Sequence, residues 1–570
     1  MSGLSRGLML RARFARKSRA LISLNSFGVF MNRNRSVDLK RFAMTPSPDV
    51  PRSTFLIQKT HKTTFDAGLL VPVYCEEVLP GDSFRVNMSA FCRLATPLFP
   101  VMDNLYLDSF FFYVPNRLVW TDFVKFMGEQ DNPGDSISFT VPQQVCPASG
   151  YAVNSLQDYF GLPTVGQVQA AATVSHSALP LRAYNLIWNQ WFRDENLQNS
   201  VVVDKGAGPD TVANYTIQRR GKRHDYFTSA LPWPQKGGTA VSLPLGTSAP
   251  VKGIWTGAAV TVATSGTQIG TATGTLSMSA SGASFASKSA VGTAAATAFN
   301  DTNANVYADL SAATAATVNQ LRQAFQIQRL LERDARGGTR YTEIVRSHFG
   351  VLSPDSRLDR PEFLGGGSSP IIFNPVAQNS ATNLTGGSTP LGTLGGIATA
   401  ATRGHGFSQS FVEHGYVLGL VSVRADLTYQ QGLRRHWSRS TRYDFYLPAF
   451  AALGEQSILN KEIYVRGDAN DNLTFGFQER WAEYRYAPSE VTGLFRSTSA
   501  GTVDGWHLAQ RFTSLPTLNS TFIADTPPVS RVVAVGASAN GQQLLFDSFF
   551  DCRVTRPLPM YSVPGLIDHF

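Results

Sequence analysis

The sequence predicts a mainly β protein: an antiparallel sheet closed by its first and last strands, with very long insertions between strands. Three observations predict it. Apolar and polar residues alternate near both ends of the chain. In "DSFRVNMSAFCRL" (residues 82–94), Phe84, Val86, Met88 and Ala90 share one face and Ser83, Arg85, Asn87 and Ser89 the other. Aromatic residues are abundant, with 37 Phe, 18 Tyr and 8 Trp in 570 residues, enough for a large core. Charged residues make up only 16%, against about 25% in typical soluble domains. So little charge fits a chain that covers much of its surface with neighbours.

In chain order, residues 1–62 form a basic arm. They hold 13 Lys and Arg against two acids, Asp38 and Asp49, of the 50 basic and 41 acidic residues in the chain. The remainder is therefore close to balance. A basic arm suits nucleic acid, because neutralising phosphates releases counterions and needs no fixed geometry. Its candidate phosphate contacts are Arg33, Arg35, Lys40 and Arg41.

Residues 63–236 carry the strand at 82–94 and a second, "LYLDSFFFYVP" (105–115), stopped by proline. Helical spacing follows. Val119, Phe123 and Met127 recur every four residues, and Leu181, Tyr184, Trp188, Trp191 and Phe192 make a wide aromatic stripe. Residues 237–316 are mostly Gly, Ala, Ser and Thr, with only Lys252, Lys288, Asp301 and Asp309 charged. A disordered linker is usually kept open by charge and proline. This neutral stretch is expected instead to form short exposed strands and turns, outside the body. Residues 317–570 resume with a stripe of Leu321, Ala324, Phe325 and Leu331 that ends at Gly337 and Gly338. Strands are expected at 416–429 and 544–559. Both long stripes are expected in the core.

The chain holds no GxSxG, P-loop, GxGxxG or HExxH motif. His405, Glu413 and His414 match no standard metal spacing and read as packing residues. "GDANDN" (467–472) reads as a turn, and Asp194 and Glu195 as paired or solvated carboxylates at a helix end. Cys75, Cys92, Cys146 and Cys552 form no CxxC pair and read as reduced, mostly buried thiols. No apolar run reaches the roughly 18–20 residues that span a bilayer. The one basic cluster of the body is "RRGKRHDYF" (219–227). Its Arg219, Arg220, Lys222 and Arg223 precede Tyr226 and Phe227, so it offers cations for phosphates beside rings for stacking. A salt-bridged loop is the alternative.

Residues 51–120, from "PRSTFLIQKTHKTTFDAGLL" to "FFFYVPNRLVW", closely resemble the start of the major capsid proteins of the Microviridae, the small single-stranded DNA phages, in their gokushovirus branch. "RAYNLIWNQWFRDENLQ", "RRGKRHDYFTSALPWPQKG" and "RPEFLGGGSSP" extend the resemblance in the same order. It covers the chain from about Arg33 onward, apart from the insert. It implies an eight-stranded antiparallel jelly-roll barrel with large loop and helix insertions, assembled with copies of itself into a T=1 icosahedral shell around circular single-stranded DNA. It implies that the 237–316 insert is a variable surface loop, three copies of which meet at a threefold protrusion that contacts the host receptor. Further implied partners are a small basic DNA-binding protein, an internal scaffolding protein and a minor pilot protein of the virion. No catalytic role, cofactor, metal or membrane insertion is expected, and synthesis is expected in the host bacterial cytoplasm. Residues 1–30 have no counterpart in the resemblance and read as an upstream start or an extra basic arm. The competing classes are a receptor-binding β-protein that forms no shell and a jelly-roll carbohydrate-active enzyme.

Overall fold

The computed structural model describes residues 51–237, 251–253, 306–308, 318–379, 383–384, 387–388, 394–534 and 542–561. By its contacts the chain divides into residues 1–54 with 556–570 and residues 55–555, and the packed core lies in the second unit.

Eight strands build one antiparallel sheet: β1 (Ser53–Phe65), β2 (Val71–Val78), β3 (Ser83–Leu94), β4 (Leu105–Pro115), β5 (Glu362–Ala377), β6 (Leu394–Ser410), β7 (Gly415–Ala425) and β8 (Leu544–Arg556). Their order is β1-β8-β3-β6-β5-β4-β7-β2, so the last strand lies between the first and the third. This is the expected eight-stranded jelly-roll barrel. The two edges of the sheet approach each other. Lys59 of β1 pairs with Glu76 of β2 at 3.3 Å, and the His61 ring nitrogen Nδ1 lies 3.0 Å from the Val73 carbonyl oxygen. Closing the sheet leaves few free edges to pair wrongly.

Alternation along β3 buries Phe84, Val86, Met88 and Ala90, as expected. Cys92, Met88 and Val86 stand opposite Phe546, Phe550 and Cys552 of β8. Rings meet across the interior. Tyr74 lies 4.9 Å from Phe550 and 6.3 Å from Phe111, and Phe111 lies 5.4 Å from Phe407. Such pairs add roughly 0.5–1.5 kcal/mol beyond the area they bury.

β4 is buried on both faces because its two faces serve two cores. Leu105, Leu107, Phe111 and Tyr113 point into the barrel, while Phe112 and Val114 point out beneath a helical layer. β7 divides the same way, with Val417, Val421 and Val423 inside and Leu418 and Leu420 outside. The outer layer is α1 (Leu179–Ile187), extended by one π turn through Phe192. Its Leu181, Tyr184 and Trp188 are buried, as the stripe predicts. Arg182, on the same helix, is fully buried. It is held by Asp210 through Nε and Nη2 and by the carbonyls of Val119 and Gly206 through Nη1.

Two helical expectations are corrected. Residues 119–127 do not form one helix. Short turns at Asn116–Val119 and Phe123–Phe126 flank an extended Trp120, and Met127 is exposed. The Val119 carbonyl, which would bond the Phe123 amide in a continuous helix, accepts from Arg182 instead, at 3.0 Å. The second correction concerns α2 (Val318–Gly337). Its Leu321 and Phe325 are exposed, Phe325 at 65%, and Ala335 alone is fully buried among its described residues. Periodicity marks a face that wants cover, but not what covers it. α2 is tied to the body near its end, where the Lys236 amide donates to the Leu331 carbonyl and Arg336 pairs with Glu455 and Glu479. α3 (Tyr341–Phe349) follows, and the sequence pattern did not announce it.

Candidate nucleic-acid interface

The basic cluster 219–223 is an extended segment pinned on both sides. The Arg220 amide donates to Gly68 O, and Arg220 O accepts from the Asp525 amide. The Lys222 amide donates to Ile523 O at 2.8 Å. The approach is so close that a Cβ on Gly68, whose φ is +83°, would lie 2.0 Å from the Asp525 carbonyl oxygen. Only glycine fits there without strain.

Each cation of the cluster has an intrachain partner. Arg219 donates to the carbonyls of Ala67 and Asp525, both at 3.2 Å. Arg220 bonds Asp108 Oδ2 and lies over the Phe110 ring at 4.6 Å. Lys222 is buried, 3.3 Å from Gln510 Oε1 and 4.4 Å from the centre of the Phe522 ring. Arg223 bonds Asp426 at 2.8 Å over the Tyr106 ring. Tyr226 and Phe227, expected beside the cations as stacking rings, are core residues with Tyr429, Ile458 and Phe475. The rings that face the cations are therefore Phe110, Phe522 and Tyr106, none of them adjacent in sequence. The four candidate contacts of the arm, Arg33, Arg35, Lys40 and Arg41, lie outside the described residues.

Burial sets the electrostatics. It pushes the Lys222 ammonium down to about 8 and the Arg220 guanidinium down to about 10. It pushes the Asp525 carboxyl up to about 6, against the opposing pull of Arg424, Lys222 and Arg220. Burial also works to raise Asp108, but the Ser368 hydroxyl and the cations Arg220 and Arg424 outweigh it and hold that carboxyl below its ordinary value. Beside the cluster lies a cleft of about 960 Å³, with Phe110, Phe112 and Phe192 on one wall and Arg220, Arg223 and Arg340 among its cations.

The weaker sequence signals disperse. His405 lies within hydrogen-bond reach of Ser109 and Ser369. Glu413 pairs with Arg117 at 2.8 Å, and His414 packs edge-on against Phe123. In 467–472, Asp471 accepts from the amides of Arg466 and Gly467, which makes the expected turn. Asp194 caps the amides of Asn196 and Leu197, and Glu195 pairs with Arg340. The four cysteines are free thiols, three of them buried.

Sequence reasoning passed over a second basic and aromatic stretch, "RRHWSRSTRYDFY" (434–446). The structure exposes its Trp437 (71%), Tyr443 and Phe445. Its interleaving of Arg with rings is the same signal that singled out 219–227.

Over residues 43–566 the chain matches the family described as Capsid protein (F protein). It is 47% identical over 543 residues to the capsid protein VP1 of Bdellovibrio phage phiMH2K, covering 93% of this chain and 98% of that relative. It is 42% identical over 597 residues to the capsid protein VP1 of Chlamydia phage 1, again covering 93% and 98%. Against the capsid protein VP1 of Spiroplasma virus 4 it is 37% identical over 554 residues, covering 92% and 97%.

Proposed function

The chain belongs to the capsid protein (F protein) family of the Microviridae, and from that premise we propose that it closes into a T=1 shell around a circular single-stranded DNA genome. Its role is structural, as a capsid subunit of the virion. The observation that carries the reading is how much large apolar surface a lone subunit leaves bare. Val318, Leu321 and Phe325, spaced to share one face of α2, are all exposed. A contiguous bare apolar face marks an interface, and obligate assemblies bury more than about 2,000 Å² per contact. In the shell the stripe of α2 meets a neighbouring copy.

The chain divides by role. The arm faces inward and contacts phosphates through Arg33, Arg35, Lys40 and Arg41; it is shorter than the sequence predicts, because residues 53–62 belong to β1. Residues 53–236 and 317–570 form the barrel and its helical layer. The insert, 237–316, projects outward at the threefold axes and meets the host receptor. Support for a projecting insert comes from within it, where Val251–Gly253 pairs antiparallel with Val306–Ala308 and brings two segments 55 positions apart together. The intrachain partners of Arg219, Arg220, Lys222 and Arg223 favour a bracing role for that cluster over phosphate contact. The near-neutral body leaves most of the genome's charge to a small basic DNA-binding protein. Internal scaffolding and pilot proteins complete the particle, which is made in the bacterial cytoplasm.

Electron microscopy of the expressed protein, with its scaffolding partner, tests the reading. Uniform icosahedral particles whose nucleic acid is sensitive to single-strand nuclease and resistant to exonuclease are expected. A stable monomer under assembly conditions would overturn it.

A further inference from the structure

We propose that a pocket between residues 434–439 and 484–496 holds a single unstacked nucleotide of the enclosed strand, an inference that rests on the reading that the shell encloses single-stranded DNA. The pocket measures about 370 Å³ and is lined by Arg434, Trp437, Arg439, Tyr484, Tyr486 and Arg496. That volume suits one base with its sugar. Trp437, Tyr484 and Tyr486 are all exposed, whereas rings of this size are ordinarily covered. Exposed rings beside arginines are the means by which proteins hold single strands without regard to sequence, the ring for the base and the cation for the phosphate.

The acids of the pocket pair with three of its arginines, so the phosphate falls to Arg496, a lining arginine with no ion pair among the described residues. Glu462 and Glu483 lie within 3.1 and 4.0 Å of Arg435, and Glu483 also pairs with Arg439 at 3.4 Å. Glu490 pairs with Arg434 at 3.2 Å on the rim. The Arg439 guanidinium lies 4.6 Å over the Tyr484 ring. Just outside the pocket, Arg442 and Tyr443 are exposed and continue the strip.

The test is ultraviolet cross-linking of intact, DNA-filled particles, with adducts mapped by mass spectrometry. Adducts on Trp437 and on Tyr484 or Tyr486 are expected. Trp437→Ala removes an exposed ring and leaves the core intact. It should cut the adduct yield in this region and weaken binding of a thymidine oligonucleotide to opened shells by roughly tenfold. Trp437→Phe should restore most of that binding. Filled particles whose adducts map elsewhere, with unchanged oligonucleotide binding in Trp437→Ala, would overturn the proposal and leave the genome reading standing. Particles without single-stranded DNA would sink both. Saturable binding of an oligosaccharide at this pocket, or a neighbouring subunit seated over it in the shell, would also overturn it.

Discussion

Asp108, in the middle of β4, holds Arg220 and Arg424 on the same carboxylate oxygen, Oδ2, with Arg424 Nη2 at 3.1 Å. One carboxylate thereby joins the basic cluster to two barrel strands, β4 and β7. Asp108→Ala leaves two largely buried guanidinium groups facing each other with no directly bonded counter-charge, only the more distant Asp525. A loss of about 3–5 kcal/mol is expected. It should appear as a lower melting temperature or as loss of soluble subunit, and an unchanged melting temperature would refute the bracing role.

The same cluster gives a pH dependence with two limbs. The Asp525 carboxyl is at about 6 in the folded chain, above its ordinary 3.8. The folded state therefore binds the extra proton between those values, and stability falls as pH rises from about 4 to 6. The Lys222 ammonium is at about 8, below its ordinary 10.5. Here the unfolded chain binds the extra proton, and stability rises as pH goes from about 8 to 10.5. Thermal unfolding of the subunit across a pH series should show Asp525→Asn flattening the first limb and Lys222→Met the second.

Alanine at Arg33, Arg35, Lys40 and Arg41 should lower the DNA content of particles without preventing closure, because phosphate contacts contribute affinity and no fold. The ratio of absorbance at 260 to 280 nm reads this directly. Alanine at Arg219, Arg220, Lys222 and Arg223 should instead remove the folded subunit, since each side chain has an intrachain partner. Empty but intact shells from that second variant would return the cluster to phosphate binding.

Replacing residues 254–305 with a short turn should leave assembly intact. The pairing of Val251–Gly253 with Val306–Ala308 holds the cut ends together, and loop closure depends only weakly on loop length. Adsorption to host cells should be lost. Failure to assemble would make the insert part of the shell itself, and normal adsorption would move the receptor site elsewhere.

The sequence by itself determined four of the eight barrel strands, β3, β4, β7 and β8, because their apolar patterning is local, while β1, β2, β5 and β6 emerged only in the structure. The pleat sends successive side chains to opposite faces, so Phe84, Val86 and Met88 announced a buried face wherever β3 came to lie. Long aromatic motifs also sufficed to reveal the family. Tertiary structure alone decided what lies against each face. It gave β4 a second core through Phe112, broke the expected helix at Trp120 by lending the Val119 carbonyl to Arg182, and left Phe325 bare. It also buried Lys222 and supplied Asp108 and Asp426 to the arginines of 219–223. Those partners lie from 112 to 203 positions away in the chain. No local pattern encodes such a distance, because a charge in sequence looks the same whether solvent, phosphate or a buried carboxylate will neutralise it.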